Sequence, residues 1–230
     1  LVRRGGHPPG GPQVAESTET RVTEQEWLSD DQPEAMVQFA CLTGDSRKLR
    51  LFGCACCRRM ERELTEDVFR QAVAIAERFA DGQATDQELA VVRDASGRAL
   101  PGGVPETCAW SATRNSEAAA IYPTWVLTNA DDRSRQAALL RDLFGNPFRP
   151  VRVEASWLTP AVVTQAVTIY KQQRFGEIPA LGKALAGAGC EEHAMLEHCR
   201  SRSPHTRGCW VLDLLLAHAG NAWAALPTED

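Results

Sequence analysis

Six residues that can bind a soft metal ion fall within one short stretch near the C-terminal end: Cys190, His193, His198, Cys199, His205 and Cys209. Thiolates and imidazoles together are the donors that a tetrahedral zinc site uses. Cys190 and His193 have the spacing of a ligand pair, and Cys199 and Cys209 frame His205. His198 and Cys199 are successive residues, so on a helix they point about 100° apart and do not readily aim at one ion. The preferred quartet is Cys190, Cys199, His205 and Cys209, with His193 or His198 as substitutes and zinc as the candidate cofactor. Arg200, Arg202 and Arg207 would offset the negative charge of three thiolates from the next layer out. The competing interpretation makes Cys190 and Cys209 small buried hydrophobes, as free cysteine often is.

A second knot, Cys54-Ala55-Cys56-Cys57, contains a CxxC pair, Cys54 with Cys57. One helical turn separates the two, which suits a thiol redox couple or a second ligand pair. Redox pairs of this kind usually sit at a helix N-terminus, whereas this helix starts about two turns earlier. Arg50, Arg58 and Arg59 are the groups that would have to lower the thiol pKa instead. Cys56 falls on an apolar stripe with Phe52 and Met60 and reads as core. Whether the two knots meet depends on how the helices pack.

For catalysis, Cys209 is the candidate nucleophile. It opens the last helix beside Arg207, where the helix dipole and the guanidinium would favour a thiolate. His205 lies one turn before it and Asp213 one turn after. These three residues are the catalytic candidates, although no HExxH, GxSxG or phosphate-binding loop occurs.

The elements that must position these groups read as helices. Asp45 or Ser46 caps a helix expected to run through Leu64. Thr65-Glu66-Asp67 opens the next, which stops at Asp81-Gly82. Thr85 with Glu88 forms a capping box. Pro101-Gly102-Gly103 is the best internal break, so a sub-boundary is expected near 101–104. Helices are then expected over Glu106 to Tyr122, Arg133 to Phe144, from Thr159-Pro160 onward, Ile178 to Ala188, Glu191 to Cys199, and around Trp210. Val151 to Val153 is at most a short extended piece. The fold expected is all-α, an irregular multi-helix bundle or a short helical array. It spans residues 23–217, between a disordered leader at 1–22 and a C-terminal tail at 218–230.

Several of these segments together resemble a known family. They are Arg47-Lys48-Leu49-Arg50-Leu51-Phe52, Cys54 to Arg59, Gly145-Asn146-Pro147-Phe148-Arg149-Pro150-Val151, and His198-Cys199-Arg200 followed by Pro204-His205 and Arg207-Gly208-Cys209-Trp210-Val211. The family is bacterial, and no activity is attached to it. The resemblance covers about Thr23 to Leu216 and implies a boundary and a focus, not a function.

Composition narrows the classes. The 230 residues are 43% hydrophobic and 24% charged, with a net charge of -5, which suits a globular protein with a real core. The pI of about 5.6 argues against nucleic-acid binding, and no apolar run reaches membrane-span length. The stretch 1–22 lacks an apolar signal core, so the eight cysteines are expected as reduced thiols or ligands in a cytoplasmic setting. Two basic segments, 47–62 and 198–207, suit an acidic or phosphorylated protein partner, or pairing with the acidic stretch Glu16 to Glu34. Trp27, Trp110, Trp125, Trp157 and Trp210 read as core or groove residues, and Phe148 as the plug of a rigid elbow. The function expected is a non-enzymatic interaction or regulatory module carrying a zinc site. The alternative is a cysteine-dependent enzyme or thiol redox protein using Cys209 with His205, or Cys54 with Cys57.

Overall fold

A computed structural model describes residues 22–218, which fold as α-helices and short 3-10 turns with no strand among the described residues. The order is α1 (Glu24–Ser29), α2 (Pro33–Leu42), α3 (Ser46–Arg59), α4 (Asp67–Ala80), α5 (Asp86–Ala99), α6 (Val104–Ala112), α7 (Ser116–Val126), α8 (Ala130–Phe144), α9 (Pro160–Lys171), α10 (Ile178–Gly187), α11 (His193–Arg200) and α12 (Trp210–His218). The all-α expectation holds. The leader at 1–22 lies outside the described residues except for Val22, which is buried. The tail at 218–230 also lies outside them, save the backbone of His218 at the end of α12. Among the described residues no helix is long and apolar enough to cross a membrane.

Local chemistry sets most helix ends. Thr85 and Glu88 form the expected capping box, and Thr23 with Glu26 forms another. Gly82, at φ +69°, takes the left-handed turn that ends α4. Some boundaries hold and others differ from expectation. The helix from Ser46 stops at Arg59, because the chain tightens into a 3-10 turn at Glu61–Glu63. The start at Thr65-Glu66-Asp67 is as expected, with Glu66 the N-cap of α4, though without a side-chain hydrogen bond. The single helix expected over 106–122 is two: α6 ends at Ala112, and Asn115 restarts the chain by accepting from the Ala118 amide at 2.7 Å.

α3 is the hub, with α2, α4, α6, α7 and α8 packed around it. Gly53 lets α7 come close: a Cβ there would sit 2.3 Å from the Ala119 carbonyl oxygen. Two buried clusters flank α3, and both draw only on residues up to 144. One of them spans the Pro101-Gly102-Gly103 break, so Leu89 and Ala109 on either side share a core. A third cluster is built from residues 151–216 alone. The division between cores therefore falls in the segment joining α8 to α9. The first unit is α1–α8 and the second is α9–α12.

The aromatic residues hold the first unit together unevenly. Trp27 is fully buried and donates its indole N–H to the Gly145 carbonyl at 2.8 Å. Phe148 stacks on Phe39, with centroids 5.1 Å apart, and braces the loop after α8. Trp125 does not read as expected. It is 69% exposed, because Pro123 and Thr124 take the buried face at that end of α7.

Candidate metal centre

Four side chains meet at the joint between the two units. Asp142, His198, His205 and Cys209 each offer one ligand atom, and these atoms all lie within 4.8 Å of one another. The group can hold a metal ion. Its members come from three places in the fold.

α8 supplies Asp142. Leu139, Leu140 and Leu143 of the same helix enter the first unit's core, while Asp142 faces the joint and is only 2% exposed. α11 supplies His198. The sequence argument that His198 and Cys199 cannot share a target holds, but His198 takes the face turned to the cluster. Cys199 points the other way, onto α10, where a Cβ on Gly182 would lie 2.6 Å from the Cys199 Cβ. Glycine at 182 thus makes room for Cys199 as a packing residue.

The segment between α11 and α12 supplies His205 and Cys209. The Thr206 amide donates to Asp142 Oδ2 at 2.9 Å, and the Cys209 amide donates to the Thr206 carbonyl at 3.0 Å. Gly208, at φ +87°, lets the chain pass under α3 and α8, since a Cβ there would come within 2.6 Å of Leu51. Cys209 follows at the start of α12.

The contacts are short. His205 Nδ1 lies 2.7 Å from Asp142 Oδ1, and His198 Nε2 lies 3.1 Å from the same oxygen. His198 Nε2 is also 3.2 Å from Cys209 Sγ. The two imidazoles meet edge to face, 4.8 Å between centroids, and Trp210 closes over His198 at 5.2 Å. His205 Nε2 is buried without a hydrogen-bond partner.

The electrostatics are those of a buried mixed-charge site. Burial pushes the Asp142 carboxyl up. The hydrogen bonds and charges of His198 and His205 outweigh it and hold Asp142 below the usual carboxylate range. Burial, followed by the Asp142 charge, raises the Cys209 thiol well above its ordinary value. The Val211 and Leu212 amides at the start of α12 pull it back only in part. A bound cation would reverse this, because a coordinating thiol is deprotonated outright.

The other sequence candidates lie elsewhere. Cys190 sits in the second unit's core with Cys199. His193 is largely exposed and faces Glu197 at 3.0 Å along its own helix. Asp213 turns away from Cys209 to Arg47 at 2.6 Å and Lys48 at 3.9 Å. Cys54 and Cys57 pack with Cys108 in the first unit's core and contribute no atom to the cluster. Burial is the largest influence on both thiols and drives them up. Their basic neighbours are engaged elsewhere. Arg50 donates to the Ala112 and Arg114 carbonyls at 2.6 and 2.7 Å, Arg58 holds Glu77, and Arg59 holds Asp132. The mates of the basic run are therefore Asp81, Glu77, Asp132 and Asp213. The acidic stretch pairs instead with Arg133, Arg141 and Arg149, through Glu34, Asp31 and Glu24.

Asp142 is the member that sequence reasoning missed. Its signal was a carboxylate set between apolar positions, in Leu139-Leu140-Arg141-Asp142-Leu143. Comparison with known family models, curated proteins and solved structures returns no match.

Seven of the eight cysteines are buried, and Cys41 alone is partly exposed. In native protein at neutral pH and free of chelator, a thiol reagent should label about one cysteine quickly, and Cys41→Ser should remove that label. Fast labelling of Cys209 in that variant, read by peptide mass, would contradict this burial pattern.

Proposed function

We propose that this chain is a non-enzymatic interaction or regulatory module whose two helical units are joined by a structural zinc ion on Asp142, His198, His205 and Cys209. The observation that carries the reading is convergence. One nitrogen of His198 lies within reach of both Cys209 and Asp142, and His205 reaches the same carboxylate oxygen. A catalytic relay would use opposite nitrogens of a histidine in series, one toward the nucleophile and one toward the acid. Donors gathered about a common centre are what a metal site needs. Zinc–nitrogen and zinc–sulfur bonds of about 2.0 and 2.3 Å imply donor–donor separations of roughly 3.3–3.5 Å, so the short contacts would open slightly and pairs up to 4.8 Å apart would close to seat the ion.

Charge supports zinc as well. A thiolate, a carboxylate and two neutral imidazoles carry two negative charges, which a divalent cation neutralises. A neutral assembly costs less to bury than the one-negative shell of a three-cysteine site. One thiolate with two imidazoles favours zinc over the hard cations, which take all-oxygen sets. A closed set of four protein donors is that of a structural ion, since catalytic zinc keeps a position open.

The His198–Cys209 contact also favours a second reading, a cysteine nucleophile with a histidine base. Against it stand the complete burial of Cys209 and its raised thiol pKa, since catalytic cysteines lie in accessible sites that lower it.

The partner we propose is an acidic or phosphorylated protein segment. Arg200 and Arg202 are exposed beside the site, whereas Arg207 is committed to Asp81.

Protein purified without a histidine tag should contain about one equivalent of zinc by elemental analysis. Cys209→Ser and His205→Ala should each lower zinc affinity by at least ~10-fold, and Cys199→Ala should leave occupancy unchanged. Less than a tenth of an equivalent in a folded wild-type protein supplied with zinc would end the metal reading. For the partner, Arg200→Glu with Arg202→Glu should abolish capture of proteins that elute with added phosphate. Undiminished capture by the double variant would refute an acidic partner at this loop.

A further inference from the structure

Among the described residues the two units share no hydrophobic cluster. The second unit's core holds nothing before residue 151, and the first unit's clusters hold nothing after residue 144. What crosses the joint is mostly polar. Arg47 of α3 reaches Asp213 of α12 and the Tyr170 hydroxyl of α9, both at 2.6 Å. Asp81, at the end of α4, accepts from that hydroxyl at 2.8 Å and from Arg207. Asp142 of α8 takes His198, His205 and Thr206 from the second unit. Apolar side chains also meet there: Leu51 and Leu143 lie against Gly208, and Trp210 lies against Gly145.

A joint of this kind is weak without a specific clamp. Charged pairs gain little once desolvation is counted, and the hydrophobic term that usually fixes two units together is small here. The proposed ligands are divided unevenly between the units. His198, His205 and Cys209 all belong to the second, and only Asp142 belongs to the first. An ion bound by the three alone would leave the units independent, and the fourth ligand is what ties them.

We infer that metal loading regulates the docking of α9–α12 onto α1–α8, through the single ligand Asp142 contributed by the first unit. The inference rests on the zinc reading above and adds that the ion is a closable latch between units. Loaded protein holds the joint shut. Metal-free protein opens it about the segment 145–159, while each unit keeps its own core. Opening would uncover Asp81, Asp142 and the buried face of the 201–209 segment.

Amide hydrogen exchange on the full chain tests this, with zinc bound or removed by a chelator and occupancy measured alongside. With zinc saturating, exchange at 204–212 and at the C-terminal end of α8 should slow by the factor by which Asp142 tightens zinc binding, on the order of 10-fold or more relative to metal-free protein. Amides of α4 and α5, remote from the joint, should not change. Asp142→Asn separates the two layers of the argument. It should still bind zinc, more weakly, through the three remaining ligands, yet lose the protection at α8. Zinc that binds wild type at one equivalent without slowing exchange across the joint would overturn the latch and leave the metal site standing. Zinc that does not bind at all would overturn both. Equal protection of α8 in Asp142→Asn at full occupancy would also overturn the latch, because the tie would then not run through that carboxylate.

Discussion

A buried carboxylate is costly unless several donors face it, and Asp142 is where that cost and its compensation meet. It is almost fully enclosed and accepts from an amide and two imidazoles, all from the unit opposite its own. An isolated ion at this depth would cost several kcal/mol. The contacts keep the group ionised, with its carboxyl held below the ordinary range. The positions of α8, α11 and the 201–209 segment are therefore coupled through one side chain. Gly208 and Gly182 serve the same arrangement, the first by admitting the segment beneath α3, the second by taking Cys199 out of it.

Around this point the molecule departs from an ordinary two-core protein. Arg47, Asp81, Tyr170, Arg207 and Asp213 form a second polar seam on the other side of the α12 N-terminus. Burial raises the Asp213 carboxyl even though Arg47 and Lys48 pull it down. Polar seams give orientation more than strength. They suit a joint whose closed form is well defined but whose energy depends on what binds. A divalent ion held by the proposed ligands would supply what such a joint lacks, because it would turn a raised thiol and a buried carboxylate into a neutral, four-coordinate centre.

How much of this could be read from the sequence depended on whether the signal was local. Helix content, the capping box at Thr85, the stop at Gly82 and the proline start at Pro160 are set by neighbours along the chain. The stretch carrying His198, His205 and Cys209 was legible because donor types cluster there. The set that converges was not, because it depends on which face of α11 meets α8. Spacing forbids His198 and Cys199 from sharing a target but cannot choose between them; Gly182, on a different helix earlier in the chain, does. Asp142 was hidden for the same reason. A carboxylate on an amphipathic helix looks like a solvated residue until a second unit docks on it. The gap at 113–115 inside an alanine-rich run was missed because Asn115 capping outweighs the propensity of its neighbours.

X-ray absorption at the zinc edge tests the central claim most directly, since it counts the atoms around the ion. The account predicts one sulfur at about 2.3 Å and three nitrogen or oxygen atoms at about 2.0 Å. The sulfur should vanish in Cys209→Ser and persist in Cys190→Ser and Cys199→Ser. Two or more sulfur neighbours, or a sulfur signal that survives loss of Cys209, would contradict it.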